Sequence, residues 1–563
     1  MEIAINPGMP TYSGGLGVLA GDTLRSAADL GVPLVAFTLL HRKGYFQQHL
    51  DGAGVQSEQV QPWNPSDFCV EEPARVTVQI EDRIVTVRAW RYDLEGRFGH
   101  VLPIYLLDTD LENNSGWDRG LTDHLYGGDE NYRLQQEIVL GMGGVRMASA
   151  LGLKVNVYHM NEGHAALLTL ALLESQLGGG PLGAATESDI EQVRRKCVFT
   201  THTPVPAGHD RFSTEQSIRI LGGDRTARLQ QHGCFRDGLL NMTLLALRFS
   251  RYANGVAMQH GKVSRQMFPE FTINTITNGV HAPTWMSEPF QQMLDEHIPS
   301  WRRDNLYLRN AIDLPEDRIL AAHARAKEEL LAEVGSRTGK VLSPNVLTLG
   351  FARRVATYKR AALMFTDPHR LLQIAEAAGG LQILYAGKAH PHDQPGKQLI
   401  QRVVEEAARS SNDLLRILYL EDYEWGLGAK LTAGVDVWVN NPRRPYEASG
   451  TSGMKAAMNG VPSLSILDGW WIEGCIEGVT GWAIEDGATD EEEAQALYRK
   501  LESAVAPLYR SGPGNWARLM RTTLAFNGSY FNTNRMVKQY SRNAYYPEKI
   551  IERVRVEEEE YAV

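Results

Sequence analysis

Three short runs in this sequence carry residue types suited to phosphate or carbonyl chemistry. The first is Ser13-Gly14-Gly15-Leu16-Gly17-Val18-Leu19-Ala20-Gly21-Asp22. Glycines let a backbone approach an anion, and a helix opening there adds unpaired N–H groups and a positive dipole end. The spacing is not the dinucleotide G-x-G-x-x-G, so NAD is not implied, and a tight strand-to-helix turn explains the run equally well. The second run, Gly350 to Arg360, holds four cations within eight positions: Arg353, Arg354, Lys359 and Arg360. Arginine offers a bidentate fork and lysine a mobile point charge, a pairing that suits a phosphate dianion. If the run is helical, Arg354 and Tyr358 share a face; a solvated cationic face is the plainer alternative. The third run, Glu447-Ala448-Ser449-Gly450-Thr451-Ser452-Gly453-Met454-Lys455, offers small residues and backbone N–H groups, then a lysine. A lysine crowded by cations has its pKa pushed down, which favours Schiff-base chemistry. A capped helix with Lys455 in solvent fits the same spacing.

Histidines add polar groups nearby. His159-Met160-Asn161-Glu162-Gly163-His164 and Thr201-His202-Thr203-Pro204 each follow a predicted strand. Glu162 and His164 do not have the H-E-x-x-H spacing and lack a third ligand in sequence, so polar substrate contacts are expected there rather than a metal. His281 in the turn 277–285 reads as a turn-stabilising residue or a ligand contact.

The elements that must position these groups are short β-rich runs alternating with amphipathic ones. Strands are predicted at 1–6, 33–39, 154–159, 197–201, 346–350, 382–386, 416–420, 436–440 and 464–467. Helices are predicted at 18–30, 163–176, 320–334 and 397–409. Near-continuous Val/Ile/Leu runs suit parallel strands covered on both faces. The segment 74–92 alternates instead, predicting an antiparallel hairpin that turns near Glu81 and Asp82. The fold class expected is α/β, with two doubly wound Rossmann-like domains facing a cleft, 1–285 and 286–563, and a terminal helical segment packing back across it. Ligands in such sheets bind at strand carboxyl ends. The tail 553–563 reads as a charged, frayed end.

The chain has 563 residues, with 57 Lys+Arg against 67 Asp+Glu and a formal net charge of −10. That balance disfavours a general nucleic-acid or anionic-membrane binder. The 43% hydrophobic and 22% charged composition is that of a globular protein and excludes fibrous and disordered classes. Cys69, Cys197, Cys234 and Cys475 are widely spaced with no C-x-x-C pair, which excludes a disulfide scaffold or thiolate zinc site and fits a reducing compartment. No run approaches a membrane span and no secretory signal is visible, so a cytoplasmic protein is expected.

Taken together, the runs resemble the α-glucan phosphorylases, in particular their shorter bacterial and archaeal branch. The match proceeds in order along nearly the whole chain: YSGGLGVLAGD, RKGYFQQ, MNEGHAAL, THTPVPAGHDRF, TNGVHAPTW, GFARRVATYKR, AGKAHPHD, LEDYEWGLGAKL, NNPRRPYEASGTSGMK and NGVPSLSILDGWW. The resemblance implies a glycosyltransferase-B architecture and pyridoxal 5'-phosphate held as a Schiff base on Lys455. It implies a hexosyltransferase of class EC 2.4.1.1, in which α-1,4-glucan and inorganic phosphate give glucose 1-phosphate with retention. The expected partners are thus a glycogen-like or maltodextrin-like glucan, phosphate and glucose 1-phosphate, with a homodimer and no nucleic acid, membrane or metal.

Residue by residue, Arg354 and Lys359 resemble the cations that hold the substrate phosphate, and Tyr358 the tyrosine near the glucosyl ring. Tyr423, Arg353, Thr451 and Ser452 fall beside the cofactor, and Gly14, Gly15 and Leu16 face phosphate or substrate. His202, Asn278, Glu447, Ser449 and Gly450 match glucose contacts, with His202 and Glu447 also in the catalytic group. Glu162 and His164 fall near the scissile bond. Related nucleotide-sugar transferases carry E-x7-E at this place, whereas here Glu447 is followed eight positions later by Lys455, which favours the phosphorylase reading over a glucan synthase. An aminotransferase-like enzyme and a silent glucan binder are the other readings considered. Arg353 stands where larger phosphorylases have lysine, and Ala356 where they have histidine. The larger enzymes' N-terminal control region is not expected.

Overall fold

The structure is a computed structural model that describes residues 1–546; the tail 553–563 lies outside them. Its contacts divide the chain into two compact units. The first comprises Met1–Tyr45, Val60–Thr277 and the chain from Met536 onward; the second comprises Phe46–Gln59 and Asn278–Arg535. Both are α/β with parallel sheets, as the alternating pattern requires.

In the first unit, β1 (Ala36–Leu39), β2 (Val70–Ile80), β3 (Arg83–Glu95) and β4 (Val101–Asp108) form one sheet in the order β1-β4-β3-β2. The β2–β3 hairpin is antiparallel and turns at Glu81 and Asp82, where alternation placed it; β1 and β4 run parallel. A second, wholly parallel sheet holds β5 (Tyr158–Asn161), β6 (Cys197–Thr200), β7 (Tyr252–Gly255) and β8 (Asn274–Thr275) in the order β8-β7-β6-β5. Helix α1 (Gly15–Asp29) follows the glycine turn. The predicted strand 1–6 does not form. Its backbone bonds instead to residues 11–17, which lead into and through the glycine turn, with Ile3 N–H donating to Thr11 O at 2.9 Å and Ala4 N–H to Gly17 O at 2.9 Å. The segment from Met536 packs here too: Met536, Tyr540 and Ala544 are buried with Leu19, Val198 and Ile276.

The second unit is built on one six-stranded parallel sheet. Its strands are β9 (Leu347–Ala352), β10 (Leu381–Ala386), β11 (Leu415–Leu420), β12 (Val437–Asn440), β13 (Ser463–Ile466) and β14 (Gly481–Ile484), in the order β11-β10-β9-β12-β13-β14. Strand order therefore reverses between β9 and β12, the first and fourth strands of this sheet. In open α/β sheets ligands bind at this switch point, outside the strand carboxyl ends. Strands β9, β10, β12 and β13 are buried at every residue, which is why they read as mostly apolar runs without a polar face. The hairpin 47–50/56–59 joins this unit: Gln48 donates to Gly387 O at 2.9 Å and accepts from Asp422 N–H at 2.9 Å. Residues 278–285, placed by sequence in the first domain, pack here as well. Val280 N–H donates to Phe531 O at 3.1 Å, and Thr533 N–H to Val280 O at 2.9 Å.

Candidate active site

The two loops that leave β9 and β12 carry the cation run and the lysine run to the same place. Beyond β9, Arg353 is buried, its Nη2 donating to Val439 O at 3.1 Å while its Nε has no partner among the described residues. Its charge acts on Glu447, Tyr358 and Tyr423, and burial lowers its pKa. Arg353 Nη1 lies 3.9 Å from Glu447 Oε2, and Lys359 Nζ makes a direct ion pair with the same oxygen. Lys359 also lies 4.6 Å from the centre of the Tyr358 ring. Arg354 is exposed on the loop.

The run does not make the helix that would align Arg354 with Tyr358; only residues 357–359 form a single 3-10 turn. Arg360 then takes a left-handed conformation, φ 51°. Its guanidinium bonds to Asn441 O and Pro442 O at 2.9 Å each, and to Asp490 and Glu493. The fourth cation of the run is therefore a structural clasp between the two loops. Arg443 N–H, donating to Tyr358 O at 2.8 Å, is a second one.

Beyond β12, Glu447 folds over Gly450, whose φ of +77° and close approach exclude a larger residue: a Cβ there would lie 3.1 Å from the Glu447 side chain. Helix α2 (Ser452–Ala457) follows, with Ser452 Oγ accepting from the Trp438 indole at 3.1 Å and Thr451 O from Lys455 N–H at 3.2 Å. Lys455 is buried, and its Nζ lies 3.6 Å from the centre of the Trp285 ring. Tyr423 stands near Arg353, and burial pushes its phenol up to about 12. Asn278 is buried with its carbonyl accepting from Arg535 Nη2 at 2.9 Å and its Oδ1 without a partner among the described residues. Buried orphan acceptors and donors are rare unless a ligand or water completes them. Here Arg353 Nε, Ser449 Oγ, Asn440 Oδ1 and Asn441 Oδ1 join Asn278 Oδ1 in that state. A buried primary amine, a guanidinium with an unused N–H and hydroxyls at a helix start fit a phosphate-bearing aldehyde such as pyridoxal phosphate.

In the first unit the predicted residues gather at the carboxyl ends of β5 and β6. Glu162 is buried with φ 69°, and its carboxylate accepts from His202 N–H at 2.6 Å and the Thr203 hydroxyl at 3.0 Å. Burial nevertheless pushes it up to about 7. His202 Nε2 contacts Asn161 Oδ1 at 2.5 Å, and burial holds its pKa down to about 3, so the ring is neutral. His164 is buried beside Asp210. The glycine turn differs from expectation. Ser13 N–H and Gly14 N–H donate to the Glu2 carboxylate at 2.6 and 3.2 Å, and the Tyr126 hydroxyl donates to its other oxygen at 3.0 Å. Gly14 is thus committed within the chain. Gly15 and Leu16 open α1, which no side chain among the described residues caps, so the first-turn N–H groups are what an anion would meet.

Sequence reasoning passed over Glu2, Trp285, Asp468 and Asp210. Asp468 accepts from Glu447 N–H at 2.9 Å and Gly469 N–H at 2.9 Å, and burial pushes it up to about 6. Asp210, Trp285 and Asp468 lie inside recognisable motifs, but their roles depend on tertiary contacts that no local pattern announces. His281 settles as a turn residue at least in part, its Nδ1 bonded to Thr284 Oγ1 at 2.6 Å.

A profile of the carbohydrate phosphorylase family matches residues 209–504. The chain is 39% identical to a maltodextrin phosphorylase of Thermococcus litoralis over 96% of its own length and 69% of the relative's. It belongs to the carbohydrate phosphorylase family. A glycogen phosphorylase of Mycobacterium tuberculosis is also 39% identical, over 97% of this chain and 70% of that one. A glycogen phosphorylase of Aquifex aeolicus is 34% identical over 97% of this chain and 85% of its own. The family profile covers the whole lysine and cation site of the second unit, and the pairwise matches extend to most of the first unit as well.

Proposed function

We propose that this chain, an α-glucan phosphorylase, carries out reversible phosphorolysis of the non-reducing-end glucose with pyridoxal phosphate held by Lys455. The observation that carries the proposal is that the loop beyond β12, which leads into the helix of buried Lys455, is tied at the switch point to the cation run beyond β9 through Arg353, Lys359 and Glu447. Cleaving an α-glycosidic bond needs a proton for the leaving oxygen and stabilisation of an oxocarbenium-like state. When bound, pyridoxal phosphate would supply a phosphate group able to exchange a proton with inorganic phosphate. Lys455 would hold the cofactor aldehyde, and Arg353, Tyr423, Thr451 and Ser452 would line its place. Arg354 and Lys359 hold inorganic phosphate by charge, in surroundings where a preorganised cation acts strongly. Glu447 pins the Lys359 ammonium and, with Asn278, Ser449 and Gly450, offers the hydrogen-bonding groups that glucose hydroxyls need. His202, neutral and held by Asn161, presents its ring as a sugar contact rather than a charge, and Glu162, His164 and the Gly15–Leu16 amides complete the substrate set. No resident metal enters this reading. A cytoplasmic setting and a homodimer belong to the same proposal and rest on the family resemblance; among the described residues no helix is long and apolar enough to cross a membrane.

The test is glucose 1-phosphate release from maltooligosaccharide and inorganic phosphate by the cofactor-supplemented protein. Release that needs phosphate and ignores ADP-glucose supports the proposal. Glucan elongation from ADP-glucose without phosphate dependence would replace it with the synthase reading.

A further inference from the structure

Behind His164 lies a buried charge cluster that the residues named so far leave unexplained. His164 Nδ1 is 2.8 Å from Asp210 Oδ2, 3.2 Å from Arg133 Nη2 and 3.8 Å from Glu137 Oε1. Arg133 also reaches Asp210 Oδ2 at 3.3 Å and Glu137 Oε1 at 3.5 Å, and its guanidinium lies 4.7 Å over the Tyr126 ring. Glu137 is wholly buried, and among the described residues neither of its oxygens accepts a hydrogen bond; its carboxyl faces Asp210. Glu137, His164 and Asp210 offer ligand atoms within 4.8 Å of one another, the spacing of a cation site. The Arg133 guanidinium is already that cation, bridging both carboxyl groups.

One nitrogen, Nδ1, thus faces both an acceptor and a donor, and only one can be satisfied. Asp210 is closer. Although burial opposes its charge, the His164 hydrogen bond and Arg133 hold it well below the usual carboxylate range, so it is ionised and can only accept. Burial pushes Glu137 the other way, well above its usual range, so that carboxyl keeps its proton. Arg133 then donates to Asp210 rather than to the ring. Burial keeps the imidazole itself neutral, its pKa held down to about 4. A neutral ring with hydrogen on Nδ1 has none on Nε2. Nε2 makes no hydrogen bond among the described residues.

We propose that Asp210, braced by Arg133 and Glu137, is a positioning residue that fixes His164 in the Nδ1–H tautomer and leaves Nε2 as an acceptor for a glucan hydroxyl. This rests on the reading of His164 as a glucan contact. The opposite tautomer would present a donor at Nε2, and the hydroxyl would then have to accept there instead of donating. The selectivity would come from that difference, not from added charge.

Selective 15N-histidine labelling of the full chain reads the tautomer directly, with the His164 signal assigned by its loss in His164→Asn. The expected wild-type pattern is Nδ1–H. Asp210→Asn can donate its amide to Nδ1, so it is expected to move His164 to the Nε2–H pattern. It should also raise the glucan KM roughly twofold to tenfold, the size of one hydrogen bond between neutral groups, with the phosphate KM unchanged. Asp210→Glu is expected to restore both. An Nε2–H pattern in the wild-type chain overturns the proposal even if the variant fails to fold. So does an Asp210→Asn variant that loses activity while His164 keeps its tautomer, because Asp210 would then be merely structural. A wild-type chain without phosphorolysis would remove the functional reading, while the tautomer would still decide the role of Asp210.

Discussion

The Lys455 ammonium lies 3.6 Å from the centre of the Trp285 ring. One side chain ties both residues down: the Asn459 amide donates to Trp285 O at 2.8 Å and to Lys455 O at 3.2 Å. A desolvated ammonium over tryptophan contributes about 2 kcal/mol. The lysine is therefore held in one orientation at the start of the reaction, with little rotamer freedom left to lose.

Borohydride reduction followed by peptide mapping should place a pyridoxal-phosphate adduct on the peptide that contains Lys455, and Lys455→Ala should carry none. Trp285→Leu keeps the amine but removes the ring face. Because that contact stabilises the free ammonium, which forming an imine gives up, its loss is expected to lower the cofactor needed for half-reconstitution by up to roughly thirtyfold. An adduct mapped to another lysine would overturn the assignment.

Removing positive charge from the phosphate site should be far more costly. Arg354→Ala and Lys359→Ala are each expected to lower kcat for phosphorolysis by roughly 100- to 1000-fold, the effect of deleting one preorganised electrostatic group. Thermal unfolding of Arg354→Ala should be unchanged, since Arg354 is exposed. Near-wild-type rates in either variant would show that phosphate binds elsewhere.

Glu447→Gln tests whether the Lys359 ammonium must be pinned. Glutamine keeps the side-chain shape and one acceptor but removes the charge that faces both Lys359 and Arg353. Two cations then repel each other without a carboxylate between them. The expected result is a tighter apparent affinity for phosphate with kcat lowered about tenfold or more, because a bound anion must replace the lost charge. Steady-state kinetics with phosphate as the varied substrate reads both quantities.

The sequence made the second unit legible because its signals are local. Val/Ile/Leu runs covered on both faces gave the strands from 346 to 467 within a residue or two. The loops beyond β9 and β12 were visible as cation-rich and small-residue runs. What escaped was set by distant partners. Residues 1–6 are strand-like in composition, yet their N–H groups bond to residues 11–17, and Glu2 occupies amides in the glycine turn that an anion was expected to meet. Arg360 is indistinguishable from Arg354 in sequence, but only the fold shows it clasping Asn441 and Pro442. Asp210 and Trp285 sit inside recognisable motifs; their roles depend on His164 and Lys455, far away in the chain.

Glu162 gives the chain a pH-dependent stability. Its native pKa is raised from 4.5 to about 7 by burial, against the pull of the His202 N–H and the Thr203 hydroxyl; His209 lies 3.9 Å away, and Asp210 adds to the rise. Between those values the native chain binds more protons than the unfolded one, so unfolding free energy falls as pH rises and levels off above about 7. The shift corresponds to about 3 kcal/mol. Chemical denaturation of wild type and Glu162→Gln from pH 4.5 to 8 should show wild type losing that much relative to the variant. A constant difference across the range would mean Glu162 is ionised in the native state.

A tight backbone contact lies behind Asn278. A Cβ on Gly279 would sit 2.2 Å from the Asn532 carbonyl carbon and 2.4 Å from its oxygen. The obstacle is backbone, and the segment that carries it is itself bonded to the turn. Val280 N–H donates to Phe531 O at 3.1 Å, Thr533 N–H to Val280 O at 2.9 Å, and Arg535 Nη2 to Asn278 O at 2.9 Å. Gly279→Ala must therefore push the turn off all three contacts and carry the unpaired Asn278 Oδ1 with it. Overpacking of this kind costs about 1–3 kcal/mol. A fall in glucan kcat/KM larger than any loss of cofactor is expected, because Lys455 is untouched while a glucose contact moves. Gly116→Ala is the control, since a Cβ there meets nothing within 4 Å. If Gly279→Ala matches that control in both melting temperature and kcat/KM, the turn does not hold Asn278 in place.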